Sequence, residues 1–497
     1  MCDRFVRAMR GSFKIALIAT LVSLCWGSDG WGGPLEDVLL ENKQITVDQW
    51  VQLKAEEEKR EAKVMEESRG VGDVPVRTRW YEQISIRGFA QFRYQSSSNP
   101  LLSNDQGDRS LGRNDQFSLR RARLIVSGQP HERVFVYVQE ELANLAGTNT
   151  ANGAGTNTTV GDNRNTGTNN IAQLRDFYAD VFLTANKEWR IRAGQSKVPF
   201  GFENLQSSQN RLAFDRTDAI NSAALNERDI GLFLYYTPTM VRERFRRLVD
   251  SGLKGSGDYG MIGLGVYNGN GNLNNVTEMN KGKHVILHTS YPHEFSNGQI
   301  VEVGMDAYAG QYVVSTTPVF PASTVSPQAV SPMLTNNGNY LDERVAWHVV
   351  VFPQPFGIQG EYTIGRGPQL NTDRTQVTLG SLHGGYLQLH YNYKCDTYCQ
   401  SVFPYVRWQE YFGGKKFEQN APRYSVREVE LGLEYQFNAA LELTVAYSWV
   451  QRTSDDPSML PAVALGSCGV ASGIACSQTP YQLQTGNLVR FQLQWNF

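Results

Sequence analysis

The chain has 497 residues, 41% of them hydrophobic, and a formal charge of −2. It is too polar for a bundle of membrane helices, and its near-neutral balance excludes a nucleic-acid binder that works through bulk charge. Neither number excludes a membrane β-barrel, whose lipid-facing residues occupy only alternate positions, and the 23 Tyr, 23 Phe, 9 Trp and 46 Gly suit many short strands and turns.

At the N-terminus Arg4, Arg7, Arg10 and Lys14 precede an apolar run from Ile15 to Trp26, followed by the small residues Gly27, Ser28 and Gly30. This is the pattern of a cleavable export signal, expected over residues 1–30, and the run is too short for a spanning helix of about 20 residues. Leu24 directly before Cys25 fits a lipid-attachment site poorly. Export permits disulfides. Cys2 and Cys25 leave with the signal; Cys395/Cys399 and Cys468/Cys476 form two local pairs, expected as small loop staples. No neighbouring His or Cys completes a tetrahedral metal set.

Residues 35–70 have helical composition: Thr46 can cap, Trp50, Leu53, Val64 and Met65 are apolar, and Glu, Lys and Arg lie between. The segment reads as a solvated helix or as a short periplasmic coiled coil that aids trimerisation. Residues 71–83 read as a linker.

From Ile84 the period is two. In ISIRGFAQFRY, Ile84, Ile86, Gly88, Ala90, Phe92 and Tyr94 share one face, and Arg87, Gln91 and Arg93 the other. Similar segments recur at 116–129, 132–145, 173–184, 188–199, 229–238, 258–268, 283–292, 299–312, 342–352, 357–366, 382–393, 402–412, 424–437, 440–452 and 485–497. The expected fold is all-β: a 16-stranded antiparallel transmembrane β-barrel over 84–497, with an even strand number, as in bacterial single-chain barrels. Long connections alternate with short ones such as Gln129–Glu132 and Pro353–Phe356, the contrast of external loops with periplasmic turns. Two turns break the rule: 239–257, which is basic and helix-like, and 394–401. The last strand, NLVRFQLQWNF, alternates apolar residues with Arg490, Gln492 and Gln494 and ends on Phe497. Barrel closure would remove its exposed edge.

Alternation also assigns charges to the lumen. Arg121 and Arg123 oppose lipid-facing Ala122, Leu124 and Val126; Arg190 and Arg192 oppose Trp189, Ile191 and Ala193. An arginine facing lipid at mid-bilayer would cost about 2–4 kcal/mol, which favours the inward assignment. Arg87, Arg93 and Arg490 join them, and since first and last strands become neighbours on closure, the arginines of strands one, two and sixteen are expected to form one wall. The long connection 200–228 starts beside Lys197, carries Arg211 and Arg216 with Asp215 and Asp218, and ends at Arg228. These residues form a cluster of inward cations, and a planar guanidinium fork can bind two oxygens of an oxyanion at once. Against them stand Glu302, Asp306, Glu361, Glu428, Glu430, Glu434 and Glu442 on presumed inward faces.

The segments FSLRRARLIVSGQPHERVFVYVQEE, LRDFYADVFLT, WRIRAGQSKVPFGFENLQSSQNRLAFDR and NERDIGLFLYY resemble the phosphate-selective porin O/P family. Its most specific portion here is Gly194-Gln195-Ser196-Lys197-Val198-Pro199-Phe200-Gly201 with Glu203, followed by Arg228-Asp229-Ile230-Gly231. The resemblance implies a trimeric, sixteen-stranded outer-membrane channel whose third loop enters the lumen, and passage of small anions such as phosphate or polyphosphate along inward arginines and lysines. No phosphate-cradling glycine loop or Ser/His/acid motif is visible, so no catalytic residue, metal or cofactor is expected. The alternatives are a general diffusion porin with a transverse field, a barrel enzyme or an adhesin.

Overall fold

A computed structural model describes residues 84–98, 115–143, 173–224, 228–269, 280–314, 339–371, 376–395, 397–418, 420–454 and 482–497, with Gln49 and Tyr81. The export signal, the helical segment and the linker expected before residue 84 lie outside the described residues, except for helical Gln49 and for Tyr81; so do Cys468 and Cys476. The barrel belongs to one compact unit, Thr78–Phe497.

Sixteen long strands make the wall. They are β1 Ser85–Ser97, β2 Gln116–His131, β3 Val134–Glu141, β4 Gln173–Phe182, β5 Trp189–Lys197, β6 Arg228–Tyr236, β7 Ile262–Tyr267 and β8 His284–Glu294. There follow β9 Ile300–Val313, β10 Asn339–Val351, β11 Phe356–Leu370, β12 Val377–Tyr391, β13 Ser401–Gly414, β14 Arg423–Asn438, β15 Leu441–Ser454 and β16 Gln482–Asn496. A two-residue strand, Tyr393–Lys394, pairs with the start of β13. Each long strand pairs antiparallel with its chain neighbours, and β1 closes on β16 with Ala90 opposite Trp495. The closed sheet has no edge to protect. Phe497 completes the seam: Gly88 and Phe497 exchange backbone hydrogen bonds of 2.6 and 2.9 Å. A side chain at Gly88 would strike the Phe497 ring, so this strand crossing needs glycine.

The barrel is inside-out relative to a water-soluble core. Ile86, Phe92, Phe117, Leu232, Val285 and Trp408 are exposed on its outer face, while Arg93, Arg228, Arg344, Glu302 and Asp306 are almost fully enclosed. That inversion is what a lipid solvent selects. Trp189 packs at a tilt against Tyr236, 4.6 Å between centroids, beside the turn after β4, in keeping with an aromatic girdle. No helix among the described residues is long and apolar enough to cross a membrane; the strands cross instead.

Among the described residues three helices lie between strands: α1 Phe202–Leu205 and α2 Asp218–Asn221 in the connection β5–β6, and α3 Thr239–Asp250 between β6 and β7. The strand expected over 258–268 is only β7, Ile262–Tyr267, because the residues after α3 fold into the lumen. The β11–β12 hairpin is longer than the alternation indicated, its ladder continuing out to Leu370 opposite Val377. Cys395 and Cys399 form a disulfide in the turn before β13, as the local spacing suggested.

Candidate functional site: the loop-lined lumen

The third external loop leaves β5, and its described residues, 198–224, fold into the barrel. Gly201, at φ 81, makes the inward bend, and a Cβ there would strike the Glu361 carboxylate and Ile220. The far wall anchors the loop through its backbone. The Gly201 amide donates to Asp306 at 2.7 Å and the Glu203 amide to Glu361 at 3.0 Å. Glu203 is the hub: one carboxylate oxygen meets Arg407 at 2.6 Å, and the other accepts from the Thr217 amide and hydroxyl at 2.9 and 3.0 Å. Arg216 donates to the carbonyls of Glu203 and Gln206, and Lys197 to those of Leu205 and Gln206. These two expected pathway cations therefore hold the loop's own backbone.

At the tip the loop reaches the wall of β1, β2 and β16. Asp215 lies against four guanidiniums: Arg93 at 2.9 Å, Arg120 at 3.0 Å, Arg490 at 3.4 Å and Arg121 at 3.6 Å. Arg93 and Arg211 both donate to the Phe214 carbonyl, and Arg121 also donates to Gln91. Burial by itself would raise the Asp215 carboxyl; the surrounding arginines outweigh it and hold the group well below the ordinary carboxylate range. Arg490 additionally bonds Glu430 and approaches Glu428 at 3.5 Å. Five guanidiniums thus face three carboxylates in this corner.

Other expected pathway residues are placed differently. Arg123 pairs with Glu141 at 2.8 Å, Arg192 with Asp180 at 2.7 Å, Arg190 with Asp258 at 2.7 Å and Arg228 with Asp176 at 2.8 Å. They point inward, as alternation required, but each of these four is matched by an acid. Arg87 has inward parity but lies near the start of β1, where it is exposed and outside the arginine corner. Of the arginines of β1, β2 and β16 expected to form one wall, Arg93, Arg121 and Arg490 come together on Asp215, while Arg123 pairs with Glu141 and Arg87 lies apart.

Several lumen cations escaped the sequence reading. Arg120 sits at a bulge, where Gln91 pairs with Arg121 but Phe92 with Leu119. Counting by twos puts it on the lipid side; the bulge lets it reach Asp215. Arg344, Arg407 and Arg452 have inward parity that the same period would have found. Lys415 comes from the loop after β13, and it and Arg452 bind Asp218 at 2.8 and 3.2 Å. Between loop and wall is a polar crevice lined by Asp215, Arg216, Asp218, Arg407, Gln409, Glu428, Glu430, Arg452 and Arg490. Among the described residues no cluster of three or more His, Cys, Asp or Glu could hold a metal ion.

Solved structures similar in fold include the outer-membrane channel DcaP of Acinetobacter baumannii, at 11% identity and a TM-score of 0.44, covering 83% of this chain and 97% of that one. An anion-selective porin from Comamonas acidovorans matches at 9% identity and 0.44, covering 83% and 99%. OmpT of Vibrio cholerae in its trimer form matches at 9% and 0.43, with the same coverage. No curated protein matches the chain. The family model for phosphate-selective porin O and P matches residues 92–462, about three-quarters of the chain including every strand from β2 to β15, and the chain belongs to that family of bacterial outer-membrane channels.

Proposed function

We propose that the channel prefers anions and that they pass between the third loop and the corner formed by β1, β2 and β16. The observation that carries this reading is the convergence of Arg93, Arg120, Arg121 and Arg490 on the single carboxylate of Asp215. A permeating anion meets guanidiniums already oriented toward negative oxygens and only partly neutralised. Phosphate or polyphosphate suits them, because two oxygens can be gripped at once by one planar fork. The paired arginines of the β2–β6 wall set the lumen's shape and polarity in this reading. The same reading includes an export signal at 1–30 and a homotrimer in outer-membrane lipid, helped by the helical segment 35–70; an unchanged trimer after removal of 35–78 would remove that segment from it.

The test is single-channel recording in a KCl gradient with phosphate added stepwise. Arg93→Gln with Arg121→Gln should shift the reversal potential toward the cation side and weaken phosphate block. Arg192→Gln together with Asp180→Asn, which removes a pair that is already neutral, should leave both unchanged. A second reading, a general diffusion pore, is favoured by the acids Glu428 and Glu430, which lie against Arg490 in the same corner. Weak selectivity and no phosphate block in the unaltered protein would establish it.

A further inference from the structure

The connection between β6 and β7 is long for a periplasmic turn, and its residues do not hang below the barrel. Pro238 starts α3, whose inner face is Val241, Phe245 and Leu248. Leu248 packs with Leu253, with Ile300, Val350 and Phe352 of the periplasmic rim, and with Phe202 of the third loop. Spaced three or four apart, these residues turn one helix face up into the lumen.

The chain after α3 then crosses the barrel. Gly252, Lys254, Gly257 and Gly260 all have positive φ, which lets it double back within a few residues. On one wall Asp258 holds Arg190 of β5 and accepts from Thr237 and the Gly260 amide. On the other, the Lys254 ammonium meets Glu434 of β14 at 2.5 Å, and it sits 4.9 Å from the Phe403 ring centroid. β5 and β14 are seven strands apart around a sixteen-strand circle, so the segment spans the lumen close to its diameter. From above, Gln206 of the third loop donates to the Lys254 carbonyl at 2.7 Å. Lys254 is 6% exposed and Glu434 1%.

We propose that residues 251–260 form a second constriction on the periplasmic side of the arginine corner, and that the Lys254–Glu434 pair latches it and limits conductance. Solute leaving the corner then meets a crossbar tied to both walls. A buried ion pair across a lumen contributes little net stability when intact, but removing one partner leaves the other charge without compensation and frees the segment. The latch builds on the channel reading but fails separately from it, because conductance reports the crossbar and reversal potential reports the arginine corner.

The experiment uses the full chain in planar bilayers, with barrel formation checked by the gel shift between unboiled and boiled samples. Lys254→Gln and Glu434→Gln should each raise single-channel conductance by about twofold or more, as expected when a constriction widens. The exchanged pair, Lys254→Glu with Glu434→Lys, should return it toward the original value. Gln206→Ala, which cuts the tie to the third loop and keeps both charges, should give a smaller rise. Equal conductance in all four proteins and the unaltered chain overturns the latch. A reversal potential on the cation side in the unaltered chain overturns anion preference and leaves the latch result standing.

Discussion

Asp215→Asn is the perturbation that separates an anion site from an arginine-rich scaffold. The carboxylate already satisfies four guanidiniums between 2.9 and 3.6 Å, so it acts as a tethered anion competing with any that passes. The amide keeps the side chain's shape and surrenders its charge. Each released guanidinium can then form a charge-assisted hydrogen bond worth about 1.5–3 kcal/mol with a soluble anion. Two such bonds, less the cost of immobilising the anion and drying the site, leave about 1.5–3 kcal/mol, or about ten- to a hundredfold in affinity. The loop should keep its place, because Arg93 and Arg211 still hold the Phe214 carbonyl at 3.2 and 3.1 Å. The assay is phosphate titration of the chloride current: half-block should fall to a tenth or less of the unaltered concentration. Half-block at an unchanged or higher concentration would refute the claim that these arginines receive anions.

Arg407→Gln leaves Glu203 buried without its cation, and losing one member of such a pair costs about 3–5 kcal/mol. The barrel wall should persist while the third loop loosens, so proteolysis within 198–227 should accelerate with strand content by circular dichroism unchanged; equal proteolysis rates would exclude Glu203 as the hub. Acid should spare the loop's anchors. Burial opposes ionisation of Asp218, yet Arg452 and Lys415 bring its pKa down to about 2, and Asp215 is also depressed. A carboxylate whose folded value lies below its unfolded one stabilises fully above the unfolded value, about 3.9, and loses that contribution as pH falls through the folded value. Accessibility of 198–227 to an acid-active protease should therefore stay flat from pH 7 to about 4.5 and rise below that; a midpoint near pH 6 would assign the anchoring to other groups.

The wall of this protein was legible because lipid imposes a period of two on every strand. The outward run Trp189, Ile191, Ala193 and the inward pair Arg190, Arg192 follow from that single constraint, and the burial of both arginines agrees with it. The period gives no information about pairing across strands. Arg123 and Glu141 are eighteen residues apart and meet only because β2 and β3 are in register, with Arg123 opposite Glu141. Arg120 was hidden by a bulge, which breaks the period at one residue. Lys254 was hidden more deeply: it lies in a turn, and its approach to Glu434 depends on a helix packing upward and on four positive-φ residues that no alternation records.

An inward arginine is therefore a poor measure of anion preference until its partner is known. Arg192 and Arg121 have the same parity and similar burial, but their surroundings differ in kind. Arg192 makes two bonds to Asp180, at 2.7 and 2.8 Å, so its charge is cancelled locally and its removal would strand an acid. Arg121 meets Asp215 at 3.6 Å in a cluster where one carboxylate is shared four ways, and its nearest hydrogen-bond partner is the neutral Gln91 at 2.8 Å. The field acting on a solute comes from such unbalanced corners. The acids reinforce this division of labour: Asp306 and Glu361 accept from backbone amides at the root of the third loop. By fixing that root they hold the loop tip, and Asp215 with it, against the arginines on the far side. The acidic residues of the later strands thus act as supports for the arginine corner as much as its electrostatic counterweight.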